Sequence, residues 1–81
     1  MKIFFSRTSL KYLQDLDKKT CRKIIEAIDK LPIEGDVKKL KGQKKKNIYR
    51  LRIGRYRTIF AQNKDVIRIV KIDTRGDVYK Q

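Results

Sequence analysis

Apolar residues recur along the chain with two different periods, and each change of period marks a new element. Lys2 to Ser6 holds Ile3, Phe4 and Phe5 between polar residues, a composition that favours a short strand. From about Thr8 the spacing lengthens. Leu10, Leu13 and Leu16 fall three apart on one stripe of a first helix, with Ser6 or Thr8 available as its N-cap. A second helix is predicted from about Lys18 to Leu31. There Cys21, Ile24, Ile28 and Leu31 share a face opposite Lys and Arg, and Pro32 stops the run. The two helices are expected to form a hairpin whose apolar stripes cover one face of a sheet.

Alternation with period two dominates Asn47 to Ile72, which predicts three strands in an antiparallel meander. The breaks fall at Gly54-Arg55 and at Gln62-Asn63-Lys64-Asp65. With Gly54 and Arg55 at the centre of a turn, Ile53 faces Tyr56, Arg52 faces Arg57, Leu51 faces Thr58, Arg50 faces Ile59 and Tyr49 faces Phe60. Tyr49, Leu51, Ile53, Tyr56 and Phe60 then point toward the helices, and Arg50, Arg52 and Arg57 point away. A turn at Asn63-Lys64 extends the arginine face with Arg68, opposite Ile59. The expected fold is α+β, a small antiparallel sheet with an N-terminal helical hairpin on one face, in the order β-α-α-β-β-β. Its 81 residues suit one domain, 1–81.

Charge turns this fold into a functional question. Twenty-three Lys and Arg stand against nine Asp and Glu, a formal net charge of +14, and self-repulsion of that size calls for a polyanionic or acidic partner. Nucleic acid fits, because each neutralised phosphate releases counterions and adds salt-sensitive affinity. Between Val37 and Lys46 lies a basic loop carrying Lys39, Lys41, Lys44, Lys45 and Lys46, with Leu40 as an apolar anchor, suited to gripping phosphates. It lacks the interleaved large apolar residues that a membrane surface would take up. No segment has the length of a signal-peptide core or a membrane span, so a cytoplasmic location is expected. Cys21 is the only cysteine and the chain has no histidine. A disulfide framework, a zinc site and a Cys-His nucleophile pair are excluded, and no cofactor is expected.

Arg52 against Arg57 costs a few tenths of a kcal/mol in cross-strand repulsion, a cost that a bound anion would offset. Arginine suits forked contact with phosphate oxygens, whereas the loop lysines act as point charges. Beyond the last strand, Arg75 is placed to reach the same anion. Tyr79 offers a ring to stack on a base and a phenol to exchange a proton.

The segments Lys39-Leu40-Lys41-Gly42, Tyr49-Arg50-Leu51-Arg52-Ile53-Gly54-Arg55-Tyr56-Arg57 and Arg75-Gly76-Asp77-Val78-Tyr79-Lys80, in this element order, resemble the RelE/ParE toxin superfamily over essentially the whole chain, RelE-type toxins most. The resemblance implies a toxin of a type II toxin-antitoxin system that cleaves messenger RNA in the ribosomal A site. It implies an acidic, RelB-like antitoxin encoded nearby. Carried over by position, the basic strand residues of the family fall on Arg50 and Arg52, its hairpin arginine on Arg57, its C-terminal arginine on Arg75 and its late tyrosine on Tyr79. Lys39, Lys41, Lys44, Lys45, Lys46 and Arg68 are expected to bind RNA. The sequence departs from several branches in having Thr74 before Arg75 and no histidine, so a histidine acid-base pair is excluded. Tyr79, a loop lysine, Asp73 and Asp77 remain as proton-transfer candidates. The alternatives are a ParE-like inhibitor of DNA gyrase and a non-catalytic RNA-binding homologue.

Overall fold

The computed structural model describes residues 2–31, 33–40 and 47–74. Its elements are β1 (Lys2–Phe5), α1 (Arg7–Gln14), α2 (Lys18–Asp29), β2 (Asp36–Lys39), β3 (Ile48–Ile53), β4 (Tyr56–Asn63) and β5 (Val66–Thr74). The five strands form one sheet in the order β1-β5-β4-β3-β2, antiparallel except where β1 lies parallel to β5. The expected α+β fold with a helical hairpin on one sheet face is therefore present. It gains a strand, because Asp36–Lys39 pairs with β3 where a loop was expected. A segment with Val37 as its single apolar residue shows almost no strand pattern of its own, and the backbone of β3 supplies the order.

Both helices begin on side-chain caps. Ser6 Oγ accepts from Ser9 N at 3.1 Å, and Asp17 Oδ2 accepts from Thr20 N at 3.1 Å. The core is formed by Leu13, Ile24, Ile28 and Leu31 against Leu51, Ile53, Phe60, Ile67, Ile69 and Ile72. On α2 the buried stripe follows the expected periodicity. On α1 it does not: Leu10 is 45% exposed, while Ser9 is fully buried. The small side chain lets α1 approach β5 closely enough for Ser9 Oγ, which donates to Ser6 O at 2.9 Å, to lie 3.5 Å from Ile69 O.

The register of β3 and β4 is the one expected, from Ile53↔Tyr56 to Tyr49↔Phe60. Gly54 takes a positive φ of 57° at the turn, a conformation open to glycine at no steric cost. Between β4 and β5 the structure departs from expectation. The turn centres on Lys64-Asp65, pairing Asn63 with Val66, so Arg68 lies opposite Ala61 and not Ile59. Then the register shifts: Phe60 pairs with Ile69 but Ile59 pairs with Lys71, leaving Val70 as a bulge. The carbonyl of Val70 receives the Ser6 hydroxyl at 2.7 Å. By this bulge Ile72 reaches the core, and Lys71 and Asp73 move to the opposite face.

Candidate RNA-binding face

Strand register sorts the side chains opposite the helices into rows that cross the sheet. The first row reads Asp73, Arg57, Arg52, Asp36 over β5, β4, β3 and β2. The second reads Lys71, Ile59, Arg50, Lys38, and the third joins Phe4 of β1 to Arg68 and Ala61. Arg50, Arg52 and Arg57 thus share one face, as expected.

Two carboxylates flank the arginines and change their electrostatics: Asp36, not singled out in the sequence, and Asp73, expected there only as a proton-transfer candidate. Arg57 donates from Nε to Asp73 Oδ1 at 3.1 Å and from Nη2 to Asp73 Oδ2 at 3.0 Å, a forked pair. Lys71 Nζ adds a second cation at 3.5 Å from the same Oδ2. At the other end Asp36 stands 3.8 Å from Arg52 Nε and 3.9 Å from Arg50 Nη2, distances that give attraction but no hydrogen bond. The repulsion between Arg52 and Arg57 is therefore offset inside the protein, and a bound anion is not needed to explain it. Partial burial by itself raises the Asp73 carboxyl. The hydrogen bond and charge of Arg57, followed by Lys71, outweigh it and hold the carboxyl below its ordinary value. An ionised group already accepting from Arg57 is a weak general base at neutral pH.

The three guanidiniums differ in what they can still do. Arg52 keeps 39% of its side chain exposed and faces the distant Asp36. Arg50 is 9% exposed, and its buried Nη1 has no hydrogen-bond partner among the described residues. A buried donor left unmet costs about 1–3 kcal/mol, more if charged, and an anion reaching it would recover that. Arg57 is held by Asp73, so a ligand that takes its fork must displace a carboxylate.

The remaining candidates are dispersed. Arg68 shares the face but lies three residues from Lys71, about 10 Å along β5, with its guanidinium 5.8 Å from the Phe4 ring centroid. Lys39 pairs with Tyr49 and points to the helix side, away from the arginines, because β2 alternates; its neighbour Lys38, opposite Arg50, takes the place expected for it. Lys41, Lys44, Lys45, Lys46, Arg75 and Tyr79 lie outside the described residues, as does Asp77. Among the described residues no cluster could hold a metal ion, and no helix is long and apolar enough to cross a membrane.

A family model described as the ParE toxin of type II toxin-antitoxin systems matches residues 3–79. Comparison with curated protein sequences gives no match. Among solved structures, a chain of the archaeal RelE-RelB complex from Pyrococcus horikoshii is 35% identical, with 93% of this chain and 94% of that one covered and a TM-score of 0.77. A chain of the RelB-RelE antitoxin-toxin complex from Methanococcus jannaschii is 28% identical, with 94% of each chain covered and a TM-score of 0.75. The YoeB dimer from Staphylococcus aureus gives 27% identity, 88% and 92% coverage and a TM-score of 0.67. With the family model spanning residues 3–79 and the fold shared with chains of two RelE-RelB complexes at TM-scores of 0.75 and 0.77, the protein belongs to the RelE/ParE superfamily of type II toxin-antitoxin toxins.

Proposed function

We propose that residues 1–81 form one toxin domain that cleaves messenger RNA in the ribosomal A site and is neutralised by an acidic, RelB-like antitoxin. The observation that carries this reading is the unmet Nη1 of Arg50 beside Arg52 and Arg57 on one sheet face of a protein with net charge +14. Likeness to chains from two RelE-RelB complexes supports the antitoxin partner.

Cleavage by a 2′-hydroxyl requires that oxygen to be deprotonated and aligned, the phosphorane charge to be stabilised and the 5′-oxygen to be protonated. Arg50 donates from its unmet nitrogen to a non-bridging oxygen. Arg52, the most accessible of the three, neutralises developing charge. Arg57 and Arg75 complete the grip, Arg57 by exchanging Asp73 for phosphate. Arginine stays protonated, so none of these moves the proton. Tyr79, Asp77 and the loop lysines are the remaining proton-transfer candidates. With so weak an acid-base set, alignment by the ribosome supplies rate, since positioning alone is worth roughly 7–11 kcal/mol in favourable cases.

The ParE family model favours a second reading, inhibition of DNA gyrase through protein contacts. Purified protein added in parallel to a translation reaction and to a gyrase supercoiling reaction separates the two. Message cut only when ribosomes are present, with supercoiling intact, supports the nuclease. An intact message with blocked supercoiling supports the gyrase inhibitor.

A further inference from the structure

The arginine face carries a feature that phosphate binding does not use. Phe4 is 49% exposed, because Ile3 and Phe5 of β1 turn to the core and Phe4 turns to the side of Arg50, Arg52 and Arg57. Arg68, its partner in register, places a guanidinium 5.8 Å from the ring centroid, and the small Ala61 follows in the same row. An aromatic ring left on the solvent side of a strand gains nothing from the core. Here it is flanked by cations, Lys2 on the same side of β1 and Arg68 beside it.

Resting on the RNA-cleaving reading, the geometry points to a base-stacking subsite: the Phe4 ring, with the Arg68 guanidinium, receives one nucleobase of the single-stranded RNA whose phosphate the arginines hold. Phe4 lies two strands, about 10 Å, and two rows, about 13 Å, from Arg57, a straight-line gap of about 16 Å. That gap suits a base a few nucleotides along from the gripped phosphate and not the one attached to it. Every base has a π-face, so the subsite selects for unpaired RNA without selecting a sequence. The partition is physical: arginines and lysines take the backbone, and Phe4 takes the base.

The test uses the full chain with a short single-stranded RNA that is 2′-O-methylated throughout, so that it cannot be cut, and carries one 2-aminopurine whose fluorescence falls on stacking. Wild type and Phe4→Trp should quench the probe. Phe4→Leu, with an unchanged melting temperature, should bind about 5- to 100-fold more weakly with the quench lost. Its salt dependence should be unaltered, since no charge is removed. Arg52→Ala should keep the quench at saturation while flattening the salt slope by about 0.7. Equal affinity and quench for Phe4→Leu and wild type would overturn the subsite while leaving the arginine face intact, and would leave the ring as a contact for a protein partner. Loss of quench in Phe4→Leu with Arg52→Ala and Arg57→Ala both silent would uphold the subsite and remove the arginine reading. Failure of the wild type to bind the probe would overturn both.

Discussion

Arg57 and Asp73 face each other across β4 and β5, with both carboxylate oxygens held by the guanidinium at 3.1 and 3.0 Å. The pair occupies the fork that Arg57 would offer to a phosphate in the proposed function. Asp73→Asn should therefore have opposed effects. It should lower stability by at most about 1 kcal/mol, since the pair is partly exposed. It should also raise affinity for single-stranded RNA and steepen its salt dependence, because one competing negative charge is gone. Thermal unfolding and RNA titration over a salt series check both.

The same pair sets a pH dependence. The folded carboxyl of Asp73 lies below its unfolded value, so its contribution is full above the ordinary carboxylate value of about 3.9 and fades as pH falls through the lower, folded one. Asp17, lowered by its hydrogen bonds from Thr20, acts in the same direction. Unfolding measured from about pH 5 down to about pH 2 should show the gap between wild type and Asp73→Asn closing as the solution becomes more acid.

Thr58 presents a buried hydroxyl with no hydrogen-bond partner among the described residues, opposite Leu51 in the core. Thr58→Val replaces that oxygen with a methyl group in nearly the same shape and removes a desolvation cost of about 1–3 kcal/mol. Melting temperature should rise by about 4–8 °C for each kcal/mol gained.

Ser6 serves two structures at once, capping α1 through Ser9 N and holding the bulge carbonyl of Val70. Ser6→Ala should cost about 1–2 kcal/mol by denaturant unfolding, in the upper part of the range for a cap alone. The bulge carries Asp73 to the arginine face, so the variant should also move RNA affinity toward that of Asp73→Asn.

How far the sequence could be read depended on local pattern. The β3-β4 register was legible to the residue, because Gly54 fixes the turn and alternation on both sides leaves one pairing that buries Leu51 and Phe60 together. The bulge was missed although it left a trace: Ile69 and Ile72 are three apart, which strict alternation cannot bury together. Without the bulge the pairing of Asp73 with Arg57 is invisible, and without β2 so is Asp36, which leaves the arginine face uncompensated on sequence alone. The spacing of Leu10 from Leu13 and Leu16 points it to the core, whereas a close helix-strand approach needs a residue as small as Ser9. Phe4 reads in the sequence as strand composition, since exposure on one face is a property of the assembled sheet.

Cleavage of an arginine-gripped RNA is tested most directly by mapping 5′ ends on a translated message. The purified wild type is compared with Arg52→Ala and with Arg57→Ala, after thermal unfolding has shown that each variant remains folded. Cuts are expected within A-site codons, only in the presence of ribosomes, reduced at least tenfold in each variant. Cuts of equal yield in wild type and both variants, or an intact message with the wild type, would contradict this mechanism.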